Sequence, residues 1–266
     1  MSNSLSSVFV KAKSENRAAL IGYLPAGFPS QRAAKKIVKS MIAGGVDIME
    51  IGYPYSDPVM DGPVIQAASE QSLSNGTGAT EVFELLNSSV LLGAPSLVMS
   101  YWSPIEKFGV AKFAQSIAQA GGSGVITPDL TIEESMQWRE VCAAKGVDRV
   151  YVVAPSSSDD RLPQVTNQCS GFIYAASLMG VTGTRDSVSG NASNLVSRIR
   201  KFSSLPVAVG LGVSTKEQAQ EVAKYADGVI VGSAFIKIIQ QYGAGRKGLR
   251  KVKELAQALS EGVRGK

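Results

Sequence analysis

Short apolar runs recur along the chain, each separated from the next by a stretch long enough for a helix. The first, ALIGYLPAGFP at residues 19–29, reads as a strand running into a turn. Others follow at 47–52, 96–101, 124–129, 149–155, 172–177, 206–211 and 228–232. None alternates cleanly between apolar and polar positions, which is the pattern of strands covered on both faces in a parallel sheet. Between them lie helical patterns. After Ser30, a capping residue, Ala34, Ile37, Val38 and Met41 recur at helical spacing up to the stop signal Gly44-Gly45. Leu5, Val8 and Phe9 share a face of an amphipathic segment ahead of the first strand. Eight strand–helix units predict an α/β fold, a single-domain (β/α)8 TIM barrel over residues 1–266 with an extra N-terminal helix. The competing doubly wound sheet calls for a G-x-G-x-x-G turn after the first strand, and there is none. The Ser- and Gly-containing pieces 72–80 and 184–193 are of loop size, and the segment 182–193 is a candidate lid over the mouth of the barrel.

Composition narrows the setting. At 266 residues and 44% hydrophobic content the chain can bury a large core. Its two cysteines, Cys142 and Cys169, have no metal-ligand spacing and fit buried filler in a reducing compartment. No apolar run reaches membrane-spanning length and the first residues lack a signal-peptide core, so the expectation is a cytoplasmic protein with no membrane role. The net charge of +5 favours anionic partners in general. Its cations are scattered, however, and the basic segment 246–264 also carries Leu249, Val252, Leu255 and Leu259 at helical spacing, so a packed helix is expected there rather than a nucleic-acid site.

The chemistry concentrates in DIMEIGYPYSDPVMDGP, residues 47–63. A charge inside a buried strand is costly unless it is paired or working. Glu50 occupies such a strand, and the loop after it, stiffened by Pro54, Pro58 and Pro63, carries Asp57 and Asp61. Glu50 and Asp61 can therefore converge on one pocket. Apolar surroundings are expected to raise the pKa of Glu50 and leave Asp61, on a polar loop, ionised. The plainer alternative is a Glu50 that pairs with a structural cation beside a solvated turn. Three glycine turns, GVTGTR (180–185), GLGVST (210–215) and VGSAF (231–235), follow the last three strands. Together they fit a phosphate cradle, with the start of a short helix at 234–240 facing the anion; singly, each glycine is ordinary punctuation.

Absences narrow the chemistry further. There is no histidine, and no lysine lies in a strand or at its C-terminal end, so metal-dependent and Schiff-base versions of the fold lose their usual groups. Lys237 falls beyond the phosphate turn. Proton transfer is left to Glu50, Asp61, Asp129 and Tyr174. Tyr23, Phe28, Tyr101, Trp102 and Tyr174 offer aromatic surface near strand ends, suited to a flat apolar substrate group and equally to core filling.

The stretch EIGYPYSDPVMDGPVIQ, with GVTGTR, GLGV and GSA at their places, closely resembles the tryptophan synthase alpha subunits, and the resemblance covers nearly the whole chain. It implies a barrel that cleaves indole-3-glycerol phosphate to indole and glyceraldehyde 3-phosphate. It further implies Glu50 and Asp61 as catalytic residues, Tyr174 beside the substrate, and Thr182 on a mobile loop meeting Asp61; Tyr23 is expected as a further substrate-binding residue. Gly183, Gly212, Gly232 and Ser233 fall on the phosphate-binding positions. No metal or cofactor is implied in this chain, pyridoxal phosphate being expected only in a partner, the beta subunit of an α2β2 complex contacted through residues 55–58. Pro25, Phe28, Ser103 and Thr131 depart from the commonest family pattern without removing any of these residues. Two rivals remain: a binding or activating subunit that turns over poorly, and indole-glycerol-phosphate synthase, which calls for a strand-end lysine that is absent.

Overall fold

The computed structural model describes residues 4–176, 185–210 and 212–265. Its strands are β1 (Ala19–Pro25), β2 (Ile48–Gly52), β3 (Ser96–Met99), β4 (Gly124–Ile126), β5 (Asp148–Val150), β6 (Val152–Val153), β7 (Ile173–Ala176), β8 (Val207–Gly210) and β9 (Gly228–Val231). They form one nearly closed barrel in the order β5-β4-β3-β2-β1-β9-β8-β7-β6, and every pairing is parallel. The helices are α1 (Leu5–Ser14), α2 (Gln31–Ala43), α3 (Pro63–Ser74), α4 (Ala79–Leu91), α5 (Trp102–Phe108), α6 (Val110–Gln119), α7 (Met136–Lys145), α8 (Arg161–Thr166), α9 (Arg185–Ile199), α10 (Lys216–Ala223), α11 (Ser233–Tyr242) and α12 (Arg246–Gly262).

Nine strands stand where eight were expected because the fifth run changes partners at Tyr151. On one side Val150 pairs with Ile126 of β4, and on the other Val152 pairs with Tyr174 of β7. Backbone bonds from Thr127 to the Val150 carbonyl and from Tyr174 to the Tyr151 carbonyl, both 3.3 Å, carry the ladder across the change. The run is thus one strand in function, and it closes the barrel.

The strands lack visible alternation because both of their faces meet apolar neighbours. On β1, Ala19 and Ile21 enter the barrel while Leu20 and Leu24 pack outward under the helices. On β2, Ile48 points in, and Met49 and Ile51 point out. By the two-residue period of a strand, Glu50 follows Ile48 into the interior.

Helix α1 stoppers the lower end of this interior. Ser4 caps it in a reciprocal box with Ser7, and Leu5, Phe9 and Ala12 bury against Ile21, Leu97, Phe172 and Ala208. The Phe9 and Phe172 rings lie 5.6 Å apart. Phe9→Ala is expected to cost about 3–5 kcal/mol, the usual range for deleting a buried phenylalanine. Urea unfolding of the variant against the parent measures it, and a loss under 1 kcal/mol would mean that α1 is not part of the cooperative core.

Two stretches expected as loops are partly helical. Ser72 to Ser74 complete α3, the Ser72 hydroxyl donating back to the Ala68 carbonyl at 2.9 Å. From Arg185 the backbone is already in α9, fixed by the buried Ala192, Leu195, Val196 and Ile199 at helical spacing. The candidate lid therefore includes the first half of a helix, and residues 182–184 lie outside the described residues. Among the described residues no helix is long and apolar enough to cross a membrane.

Candidate active site

A cavity of about 510 Å³ opens at the C-terminal ends of the strands, where barrel sites form. Its floor is the upper layer of inward-facing strand residues, including Met99, Ile126, Val152 and Ile230. Glu50 rises from that layer, 1% exposed, in register with Tyr23 of β1 and Leu97 of β3. Its Oε2 has no hydrogen-bond partner among the described residues. Burial, and secondly the negative charge of Asp61, push its carboxyl up to about 8, so it holds a proton at neutral pH. Among the described residues no cation forms an ion pair with it, which weighs against the structural ion-pair alternative.

Asp61 lines the same cavity from the last turn of the loop after β2. Three contacts fix that turn. The Gln66 side chain donates to the Asp61 carbonyl at 2.8 Å, α3 begins at Pro63, and the Tyr101 hydroxyl accepts from the Met60 N–H at 3.0 Å. The same hydroxyl donates to the Asp61 carboxylate, which lowers its pKa, but burial outweighs this and the net direction is upward. Asp61 is thus more enclosed than a polar loop suggested. The ring of Tyr101 also packs on Tyr55, with centroids 5.3 Å apart, tying the outer part of the loop to the same post.

Tyr23 and Tyr174 line the cavity beside the carboxylates, and burial with the nearby negative charges keeps both as neutral phenols. Glycines make room for them. A Cβ on Gly52 would collide with the Tyr23 hydroxyl, one on Gly232 would stand 3.0 Å from the Tyr23 ring, and one on Gly210 would stand 2.6 Å from the Tyr174 hydroxyl. Gly232 therefore serves the packing of Tyr23 as well as any anion. A substitution there would disturb both, so Ser233 is the cleaner probe of anion binding.

Gly212, Gly232 and Ser233 line one side of the cavity, Gly212 in the left-handed region at φ 67° and Ser233 opening α11. Helix α11 is longer than the expected segment, and its fifth residue, Lys237, reaches the cavity too. Thr182 and Gly183 lie outside the described residues. Asp129 stays out of the cavity lining. Its carboxylate oxygens instead accept from the Trp102 N–H at 2.9 and 3.1 Å, capping α5, while Pro128 takes the lining position. Phe28 is core, and Trp102 packs edge-on against Trp138. None of Pro25, Phe28, Ser103 and Thr131 lines the cavity. Among the described residues no cluster of three or more acidic or cysteine side chains could hold a metal ion.

A family model described as tryptophan synthase alpha chain matches residues 9–264. The chain belongs to the tryptophan synthase alpha chain family. The tryptophan synthase alpha chain of Thermobifida fusca is 51% identical over 257 residues, covering 96% of this chain and 95% of that one. That of Streptomyces coelicolor is 51% identical over 262 residues, covering 98% and 97%. In three dimensions the chain is similar to a structure of Mycobacterium tuberculosis tryptophan synthase, with a TM-score of 0.91, 42% identity and 99% of each chain covered. It is also similar to the Legionella pneumophila tryptophan synthase alpha chain, with a TM-score of 0.88, 30% identity and coverage of 98% and 97%. Tryptophan synthase alpha chains are lyases of tryptophan biosynthesis that cleave indole-3-glycerol phosphate to indole and glyceraldehyde 3-phosphate, and this chain carries that alpha reaction.

Proposed function

We propose that Glu50 carries the proton through this cleavage and that Asp61 holds the compensating negative charge. The observation that supports it is a buried Glu50, its Oε2 without a hydrogen-bond partner among the described residues and its carboxyl pushed up by burial, facing the same cavity as Asp61. Glu50 donates its proton to indole C3, leaving positive charge on the ring; Asp61 accepts a hydrogen bond from the ring N–H and stabilises that charge. The Glu50 carboxylate then takes the proton of the hydroxyl on the adjoining carbon. That oxygen becomes the aldehyde of glyceraldehyde 3-phosphate, the carbon–carbon bond breaks, and its electron pair restores the indole. Glu50 ends protonated, as it began, so the cycle balances without an external acid or base.

Tyr23 and Tyr174 flank the indole with the apolar floor beneath it. The phosphate is assigned to Gly212, Gly232 and Ser233 together with Gly183, and Thr182 to the loop that meets Asp61. We assign all of residues 1–266 to one domain working in the cytoplasm, in keeping with the buried, free Cys142 and Cys169. The partner is the tryptophan synthase beta subunit in an α2β2 complex, with pyridoxal phosphate in the partner and no cofactor here. What supports the contact is the loop ending at Asp61, where Val59 is 79% exposed. Adding a beta subunit should order that loop and raise turnover, and Pro58→Gly should blunt the gain, since about 1 Å of misplacement can cost on the order of 100-fold. Indole release from indole-3-glycerol phosphate, with and without the partner, is the assay. No indole under either condition would sink the reading, and equal rates would sink the coupling.

A further inference from the structure

We propose that Lys237 is a further substrate-binding residue, supplying the positive charge that receives the phosphate end of the substrate. This rests on the assignment of Gly212, Gly232 and Ser233 to the phosphate. Among the described residues lining the cavity, the carboxylic acids are Glu50 and Asp61 and the cation is Lys237. A cavity charged only by carboxylates would repel a phosphate dianion. Backbone N–H groups and a helix start supply partial charges, but no full one. Lys237 does, and from the right side.

The helix geometry brings it there. Lys237 is four residues after Ser233 on α11, so the two occupy one face. Helical side chains lean toward the N-terminus, and a four-carbon stem at Lys237 therefore extends back over the turn that begins with Ser233. On the opposite face Phe235, Ile236 and Ile239 are buried and hold the helix in place. Lys237 is an exposed residue and makes no ion pair or hydrogen bond with another described residue, whereas Lys35, Lys216, Lys224 and Lys251 each meet a glutamate. Its ammonium is thus free to take a ligand. The arrangement also orients the substrate: the phosphate is drawn to α11, and the indole is left for the apolar, acid-bearing side.

The test is steady-state cleavage of indole-3-glycerol phosphate by the full chain with its beta subunit, comparing Lys237→Met, Lys237→Arg and Ser233→Ala. Lys237→Met is expected to raise KM about 5- to 20-fold with kcat changed less than about 2-fold, the scale of one charge-assisted contact at a partly exposed site. Lys237→Arg should recover most of the loss. Potassium chloride should shrink the difference between parent and Lys237→Met toward its disappearance near 1 M, where screening acts within about 3 Å. Inorganic phosphate should inhibit Lys237→Met more weakly than the parent by a similar factor. If Ser233→Ala raises KM and Lys237→Met does not, the lysine inference fails and the phosphate assignment stands. If neither variant changes KM or phosphate inhibition, the phosphate assignment itself fails. A rise in KM that arginine does not recover and salt does not shrink would mean that Lys237 acts through packing, which overturns its role as a counter-charge.

Discussion

Glu50→Gln is expected to lower turnover by about 100- to 10,000-fold, the usual contribution of a positioned general acid/base. Glutamine keeps the shape and can donate a hydrogen bond, but it has no proton to deliver to C3 and cannot accept one from the hydroxyl. Substrate should therefore still bind, and the loss should fall on kcat. Stability supplies a second readout. Glu50 titrates near the ordinary 4.5 in the unfolded chain and at about 8 in the folded one. Below pH 4.5 both states hold the proton and there is no penalty. Between 4.5 and about 8 the unfolded chain releases a proton that the folded chain keeps, so stability falls as pH rises, and above 8 the cost is complete. At about 1.4 kcal/mol per pH unit, it reaches on the order of 4–5 kcal/mol. Glutamine carries no such cost, so Glu50→Gln should be more stable than the parent at pH 9 and similar to it at pH 5, as measured by denaturant unfolding. Near-native turnover in this variant would refute the assignment of the proton carrier.

Asp61→Asn should also cost at least about 100-fold in kcat, because the transition state loses the charge opposite the developing indole cation. It should act on Glu50 as well. Burial is the first cause of the raised Glu50 carboxyl and the Asp61 charge the second, so removing that charge should lower the Glu50 pKa without returning it to the ordinary range. The fall in kcat/KM on the alkaline side, which reports loss of the Glu50 proton in the free enzyme, should then begin at lower pH than in the parent. Because both groups serve one transition state, the double variant should lose far less than the product of the single losses. Fully multiplicative losses would assign the two carboxylates to separate steps, and an alkaline limb that does not move would show that they do not sense each other.

Much of this was legible in the residues. The barrel followed from apolar runs without alternation, and the structure gives the cause: Ala19 and Ile21 meet one core, Leu20 and Leu24 another. Glu50 was visible because an acid in such a run has no solvent to face. What stayed hidden depended on contacts distant in sequence. Nothing local announces that Tyr101 reaches back to Met60 and Asp61, or that Asp129 is engaged by the Trp102 N–H. The helical start of α9 was masked by serines, a glycine and an asparagine, all poor helix formers that the buried Ala192 to Ile199 face overrides. Lys237 looked remote when counted from the glycine turn, since a count along the chain ignores that one helical turn brings a side chain back over its own beginning.

The stopper formed by α1 governs traffic. With Leu5 and Phe9 filling the lower end, the chamber opens at the other end, where the described part of its rim includes the loop that carries Met60 and Asp61. Substrate entry, aldehyde departure and indole departure through that opening would have to follow one another. A partner docked over that doorway would therefore control the order of departures without touching a reacting atom. Chemistry and export would then be settled at one threshold, and a change at the rim could alter which product lingers while the cleavage step itself keeps its rate.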